Sequence, residues 1–133
     1  MIIVTISGPH GSGKSTIAKA LAEELGLKYI SAGRIFRELA RKNNMNIIEF
    51  TKYVAKHPEI DIMIDKRMKE EAEKGNVVLD SQLAYWMARD LNPIKILVIA
   101  DKEDRIKRIM MRDNITYEEA KKEVEIRAVS YTH

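Results

Sequence analysis

Gly8-Pro9-His10-Gly11-Ser12-Gly13-Lys14-Ser15 has glycines at its first and sixth positions, then a lysine and a hydroxyl. This is the G-x-x-x-x-G-K-[ST] spacing, in which successive backbone N–H groups point inward at the start of a helix and form a nest for phosphates. The chemistry it suits is binding the terminal phosphates of a nucleoside triphosphate. Lys14 brings a point charge to the β- and γ-phosphates, the Ser15 hydroxyl is a ligand for a magnesium ion that bridges them, and Thr16 completes the triphosphate-binding stretch from Gly8. By average residue frequencies, this combination arises by chance in under about 1% of chains of this length. A second candidate is Asp80, an acid at the end of the apolar run Val77-Val78-Leu79. If that strand lies beside the first, its carboxylate sits across from Ser15 as the anionic partner of the magnesium or its water. A third is the run Arg105 to Arg112, with four basic residues (Arg105, Lys107, Arg108, Arg112) and no acidic one. On a helix the three arginines share one side, which suits either phosphates or a solvated face.

The glycine loop needs a strand before it and a helix after it, and the sequence supplies both. Ile2-Ile3-Val4-Thr5-Ile6 is a β-branched run closed by Gly8-Pro9, and Lys14 to Leu25 carries Ile17, Ala18, Leu21, Ala22 and Leu25 on one stripe before Gly26. Lys28-Tyr29-Ile30 is a brief second strand, followed by a helix through about Lys42 with Ile35, Phe36, Leu39 and Ala40. Asn46 with Glu49 reads as a capping box opening a helix to about Lys56, and Pro58 opens another that Gly75 ends. After the third strand comes a short helical segment with Leu83, Trp86 and Met87, then the Asn92-Pro93 turn. Ile94 to Ala100 reads as a fourth strand buried on both faces. A helix from Asp101 to about Arg112 and a last one opened by the Thr116/Glu119 box, with Tyr117, Ala120, Val124 and Ala128 as its stripe, complete the chain. The alternation predicts an α/β fold: a doubly wound parallel sheet of at least four strands.

Composition limits the alternatives. The 133 residues suit one domain that buries roughly two-thirds of its unfolded surface. With 45% apolar and 32% charged residues the chain is neither disordered nor a membrane span, and its start lacks a basic leader and a small-residue cleavage pattern. There are no cysteines, hence no disulfides or thiolate chemistry, and a cytoplasmic location is expected. The net charge of +3 is too small to mark a nucleic-acid footprint, so neither nucleic acid nor membrane is expected as a partner.

Ser31-Ala32-Gly33 followed by Phe36-Arg37 resembles the monophosphate-binding signature of nucleoside monophosphate kinases, a P-loop fold family. Together with Pro58-Glu59-Ile60-Asp61, GNVVLD from residue 75, LAxWM from residue 83 and RIxxIMxRD from residue 105, it resembles the archaeal-type cytidylate kinases over nearly the whole chain. The resemblance implies ATP-dependent phosphoryl transfer, with magnesium, to CMP or dCMP, giving CDP or dCDP. It also implies a single P-loop kinase domain over 1–133, with 31–75 as the acceptor-binding helical region and 101–133 as lid-like helices. Ser31, Gly33 and Arg37 would then bind the acceptor, Arg37 as a bidentate fork on its phosphate. Arg108 and Arg112 would act with Lys14 on the transferring group, with Arg105 and Arg127 as further family arginines. Since the attacking phosphate oxygen is already an anion, His10, His57 and His133 have no catalytic task by this reading, and His10 serves only as part of the loop. For Asp61, Asp65 and Arg67, both a base contact and a solvated face stand open. The chain departs from the family at Gln82, where an arginine is usual, and at Arg34, where an acid is usual. It also stops at Ser130-Tyr131-Thr132-His133, where relatives continue into a fifth strand and a final helix. These departures leave room for a related kinase acting on AMP or UMP, or for a nucleotide-binding module with little catalysis, and the shortening predicts an open sheet edge suited to self-association.

Overall fold

The computed structural model describes residues 1–130, with side chains through Ile126. Four strands, β1 (Ile3–Ser7), β2 (Lys28–Ser31), β3 (Val77–Asp80) and β4 (Ile94–Leu97), form one parallel sheet in the order β2-β3-β1-β4. The helices are α1 (Lys14–Leu25), α2 (Ala32–Lys42), α3 (Ile47–Ala55), α4 (Glu59–Lys74), α5 (Ala84–Ala88), α6 (Lys102–Asp113) and α7 (Tyr117–Ser130). Local signals set these boundaries. Ser31 Oγ caps α2 by accepting from the Arg34 N–H, and Asn46 and Glu49 make the reciprocal box of α3. Thr116 and Glu119 do the same at α7.

Alternating strand residues separate two faces. Val4, Ile6 and Val78 pack with Ala18 and Ala22 of α1. Ile3, Val77 and Leu79 belong to a larger cluster with Phe36, Phe50, Ile64 and Met68 of α2–α4. Each such large side chain, fully buried, contributes roughly 1.5–3 kcal/mol. A third, separate cluster of Ile106, Ile109, Ala120 and Val124 joins α6 to α7. The sheet is therefore doubly wound, as the sequence predicts.

Three readings are corrected. β4 ends at Leu97 and is a partly uncovered edge strand paired with β1, with Ile94 57% and Leu97 64% exposed, so its apolar run does not signify burial on both faces. On α1 the small residues Ala18 and Ala22 make the close approach to the sheet, while Ile17 and Leu25 lie on the flanks in solvent. Trp86 is likewise exposed, stacked under the Arg89 guanidinium, and Ala84 and Ala88 are the buried residues of α5. Tyr131, Thr132 and His133, and the side chains of Arg127 and Ala128, lie outside the described residues.

Candidate active site

β1 carries the chain from the centre of the sheet into the glycine loop, and α1 begins as the loop ends at Gly13. The loop is closely packed on its outer side. A Cβ at Gly8 would overlap the Val98 carbonyl oxygen, and one at Gly11, where φ is +79, would lie 2.6 Å from the Arg105 carbonyl oxygen. Both positions therefore require glycine. Ser12 is buried, and its hydroxyl has no hydrogen-bond partner among the described residues.

Strand order brings the distant candidates to this loop. β3 lies between β1 and β2, with Ile6 opposite Asp80 and Ser31 opposite Asp80 on the other side. Gly13, Lys14, Ser15, Ser31, Gly33, Arg37, Asp80 and Arg112 consequently share one cleft of about 390 Å³ with His10, Gly11 and Ser12. A second cleft of about 380 Å³ shares His10, Lys14, Gly33, Arg37 and Arg112, and adds Ala32, Phe36, Ile47, Ser81, Gln82 and Glu123. Gly8, Pro9 and Thr16 line neither cleft, and Pro9 closes a turn through its carbonyl to the Ser12 N–H at 3.1 Å. Asp61, Asp65 and Arg67 on α4 also line neither.

The three arginines of α6 all reach the loop. Arg105 Nε donates to the His10 carbonyl at 2.8 Å, and Arg108 Nη1 donates to the Gly11 carbonyl at 3.3 Å. Arg112 Nη2 lies 3.4 Å from His10 Nε2, and the same guanidinium forks onto the Asp113 carboxylate at 3.0 and 2.7 Å. His10 is more than a loop spacer: its Nε2 is 2.8 Å from Oε1 of the buried Glu123, which lies 3.9 Å from Arg112. Glu123 escaped the sequence reading, although its place three residues after Ala120 puts it beside the apolar stripe of α7. Tyr29 escaped it too. Its hydroxyl donates to Asp80 Oδ2 at 2.6 Å, and the Arg34 guanidinium lies 5.4 Å from its ring. His57 faces away from this chemistry, with Nδ1 2.7 Å from the Tyr53 carbonyl and its ring stacked on Tyr53.

The electrostatics are those of a site short of negative charge. Burial pushes the Lys14 ammonium below its ordinary pKa, Asp80 works the other way, and Arg112, Arg37 and Arg105 push it down further. Arg37 is depressed by burial and then by Arg112. Burial alone would depress Arg112 as well, but its bonds to Asp113 and the charges of Asp113, Glu123 and Asp80 raise it. Lys14, Arg37 and Arg112 thus repel one another around the same space, and an anion entering it relieves all three. The orphaned Ser12 hydroxyl, the glycine cradle and the joint presence of Ser15 and Asp80 fit a phosphate chain with a divalent cation.

A glycine loop at the centre of a parallel sheet, with a lysine at the helix start and an acid on the neighbouring strand, defines a P-loop phosphotransferase fold. Solved structures share that fold. Shikimate kinase from Bacteroides thetaiotaomicron aligns with a TM-score of 0.64 at 19% identity, covering 98% of this chain and 82% of that one. An uncharacterised protein from Eubacterium ventriosum aligns at 0.61 and 23%, covering 97% and 72%. Within that class the chain belongs to the cytidylate kinase-like family, which it matches over residues 3–130. It is 50% identical to the cytidylate kinase of Staphylothermus marinus over 127 residues, which is 96% of this chain and 72% of that protein. To the cytidylate kinase of Ignicoccus hospitalis it is 48% identical over 124 residues, 93% of this chain and 72% of the relative.

Proposed function

We propose that the chain transfers the γ-phosphoryl group of ATP to CMP or dCMP, forming ADP and CDP or dCDP. The observation that carries this reading is the convergence of Lys14, Arg37 and Arg112 on two adjoining clefts, one beside the glycine loop and one beside Phe36, Ile47 and Gln82. Family membership supports the choice of acceptor.

The step is a displacement at phosphorus. An oxygen of the acceptor's phosphate forms a bond to the γ-phosphorus while the bond to the β-phosphate's bridging oxygen breaks, and ADP leaves with that electron pair. No proton must be removed, so positioning and charge compensation are the protein's work. The free backbone N–H groups of the loop from Gly11 into the start of α1 and the Lys14 ammonium hold the donor phosphates, within the stretch Gly8 to Thr16. Ser31, Gly33 and Arg37 hold the acceptor, and Arg108 and Arg112 balance charge on the group in transit. Ser15 and Asp80 are the residues that would hold magnesium, which when bound draws charge from the β- and γ-oxygens. To do this, Arg108 must exchange the Gly11 carbonyl for phosphate oxygen.

In this reading 31–75 is the acceptor region and 101–133 the lid, and the enzyme works in the cytoplasm on free nucleotides. Among the described residues no helix is long and apolar enough to cross a membrane. The decisive experiment couples ADP release to ATP and magnesium across CMP, dCMP, UMP and AMP. Turnover with CMP or dCMP well above the others is expected. Preference for UMP or AMP would replace the acceptor, and ATP binding without transfer to any of them would make the chain a binding module.

A further inference from the structure

Asp80 ends the most deeply buried strand and is itself 3% exposed, so its carboxylate needs partners and a fixed direction. One partner comes from β2. Tyr29 and Ser31 alternate onto the same face, and Ser31 is the residue in register with Asp80. Two residues of strand rise span about 6.6 Å, a distance a phenol covers, so the Tyr29 hydroxyl arrives level with Asp80 and donates to Oδ2 at 2.6 Å. The ring is steadied by cations from two helices, Lys19 of α1 at 6.0 Å and Arg34 of α2 at 5.4 Å.

We propose that Tyr29 is a positioning residue for phosphoryl transfer: by occupying Oδ2 it fixes the Asp80 carboxylate and leaves Oδ1 for the cation that accompanies the donor phosphates. This rests on the kinase reading above. A phenol that merely satisfied a buried oxygen would matter for stability and leave cation affinity alone. One that orients the carboxylate sets how well the site holds a divalent ion, and losing such a partner typically costs on the order of tenfold in metal affinity or activity. Arg34 lies over the same ring and so bears on Asp80 through it.

The test is a cycle of Tyr29→Phe, Asp80→Asn and the double variant in the full chain. Two readouts are needed: the magnesium concentration for half-maximal turnover with CMP, and the affinity of manganese for the ATP complex by paramagnetic resonance. Tyr29→Phe is expected to raise the half-maximal magnesium concentration roughly tenfold, leave the KM for CMP within about twofold, and weaken manganese binding by a similar factor. In the Asp80→Asn background Tyr29→Phe should add nothing further. Unchanged magnesium dependence and manganese affinity in a folded Tyr29→Phe protein overturns the proposal, as does an undiminished effect beside Asp80→Asn. The manganese measurement reads the Tyr29–Asp80 coupling even if the chain transfers no phosphate to CMP, so the two readings fail separately.

Discussion

The helices on the two sides of the glycine loop are fastened by different forces. On one side α2, α3 and α4 share a single apolar cluster with the sheet, in which Phe36, Phe50, Ile64 and Met68 pack against Ile3, Val77 and Leu79. On the other, α6 and α7 keep a small cluster of their own, α7 also rests on α3, and their hydrogen bonds to the loop run from Arg105 and Arg108 to its carbonyls and between Glu123 and His10. Of the four side chains from α2–α4 only Phe36 lines either cleft, so most of this apolar anchorage does not depend on what the clefts hold. Polar bonds to a phosphate loop compete with phosphate itself, so the α6 side is the one whose attachments a ligand can replace.

The largest break in this contrast comes at Lys14, which both sides need. Lys14→Ala should reduce turnover by about a thousandfold or more and abolish triphosphate binding, checked by single-turnover kinetics and calorimetry. Next is the apolar anchor. Phe50→Ala should cost about 3–5 kcal/mol and lower the whole unfolding transition in denaturant titration. Ile109→Ala should show chiefly as faster hydrogen exchange in α6 and α7 while α4 holds its protection. If Ile109→Ala loosened α4 equally, the two-part picture would fail. The arginines sharpen the contrast chemically. Arg37→Ala should raise the acceptor's KM on the order of a hundredfold with little change for ATP, whereas Arg108→Ala should lower kcat on that scale and leave the acceptor's KM nearly alone. Equal effects on both substrates' KM at Arg37 would remove it from the acceptor side.

The smallest effect concerns pH. Glu71 of α4 accepts from Lys28 of β2 at 2.7 Å and from Lys74 at 3.0 Å, and these bonds hold its carboxyl below its usual value of 4.5. A carboxylate whose folded pKa is depressed stabilises the fold above its unfolded pKa, and that contribution disappears as pH falls through the folded value. Thermal melts between pH 7 and pH 3 should show a loss that Lys28→Ala flattens, by under about 1 kcal/mol because both lysines are largely exposed.

Most of the fold could be read from short-range patterns. The bounds of α1, the caps at Asn46 and Thr116, and the glycine loop all depend on residues within a few positions of one another. What stayed hidden depends on contacts far apart in sequence. Tyr29 and Asp80 are separated by 51 positions, and His10 and Glu123 by 113, and no local spacing announces either pair. The β4 error has the same origin, since an apolar run records what a strand tolerates and not whether a neighbour lies on its far side. The placement of Asp80 beside β1 stood only as a condition in the sequence, because crossover rules fix handedness and leave open which strand neighbours the first.

Four non-glycine residues in the described chain adopt positive φ, and all are asparagines: Asn44, Asn76, Asn92 and Asn114. Each lies where one element hands over to the next, and Asn76 also accepts the Ile2 N–H at 3.1 Å. Asparagine ages through attack of the following backbone nitrogen on its own side-chain amide, a reaction that small, flexible successors accelerate. Here the successors are Met45, Val77, Pro93 and Ile115, three of them bulky and one without an N–H. The turns thus gain left-handed backbone from a residue that leaves the unfolded chain less freedom than glycine would, and their sequence neighbours slow the chemical decay that heat would otherwise bring.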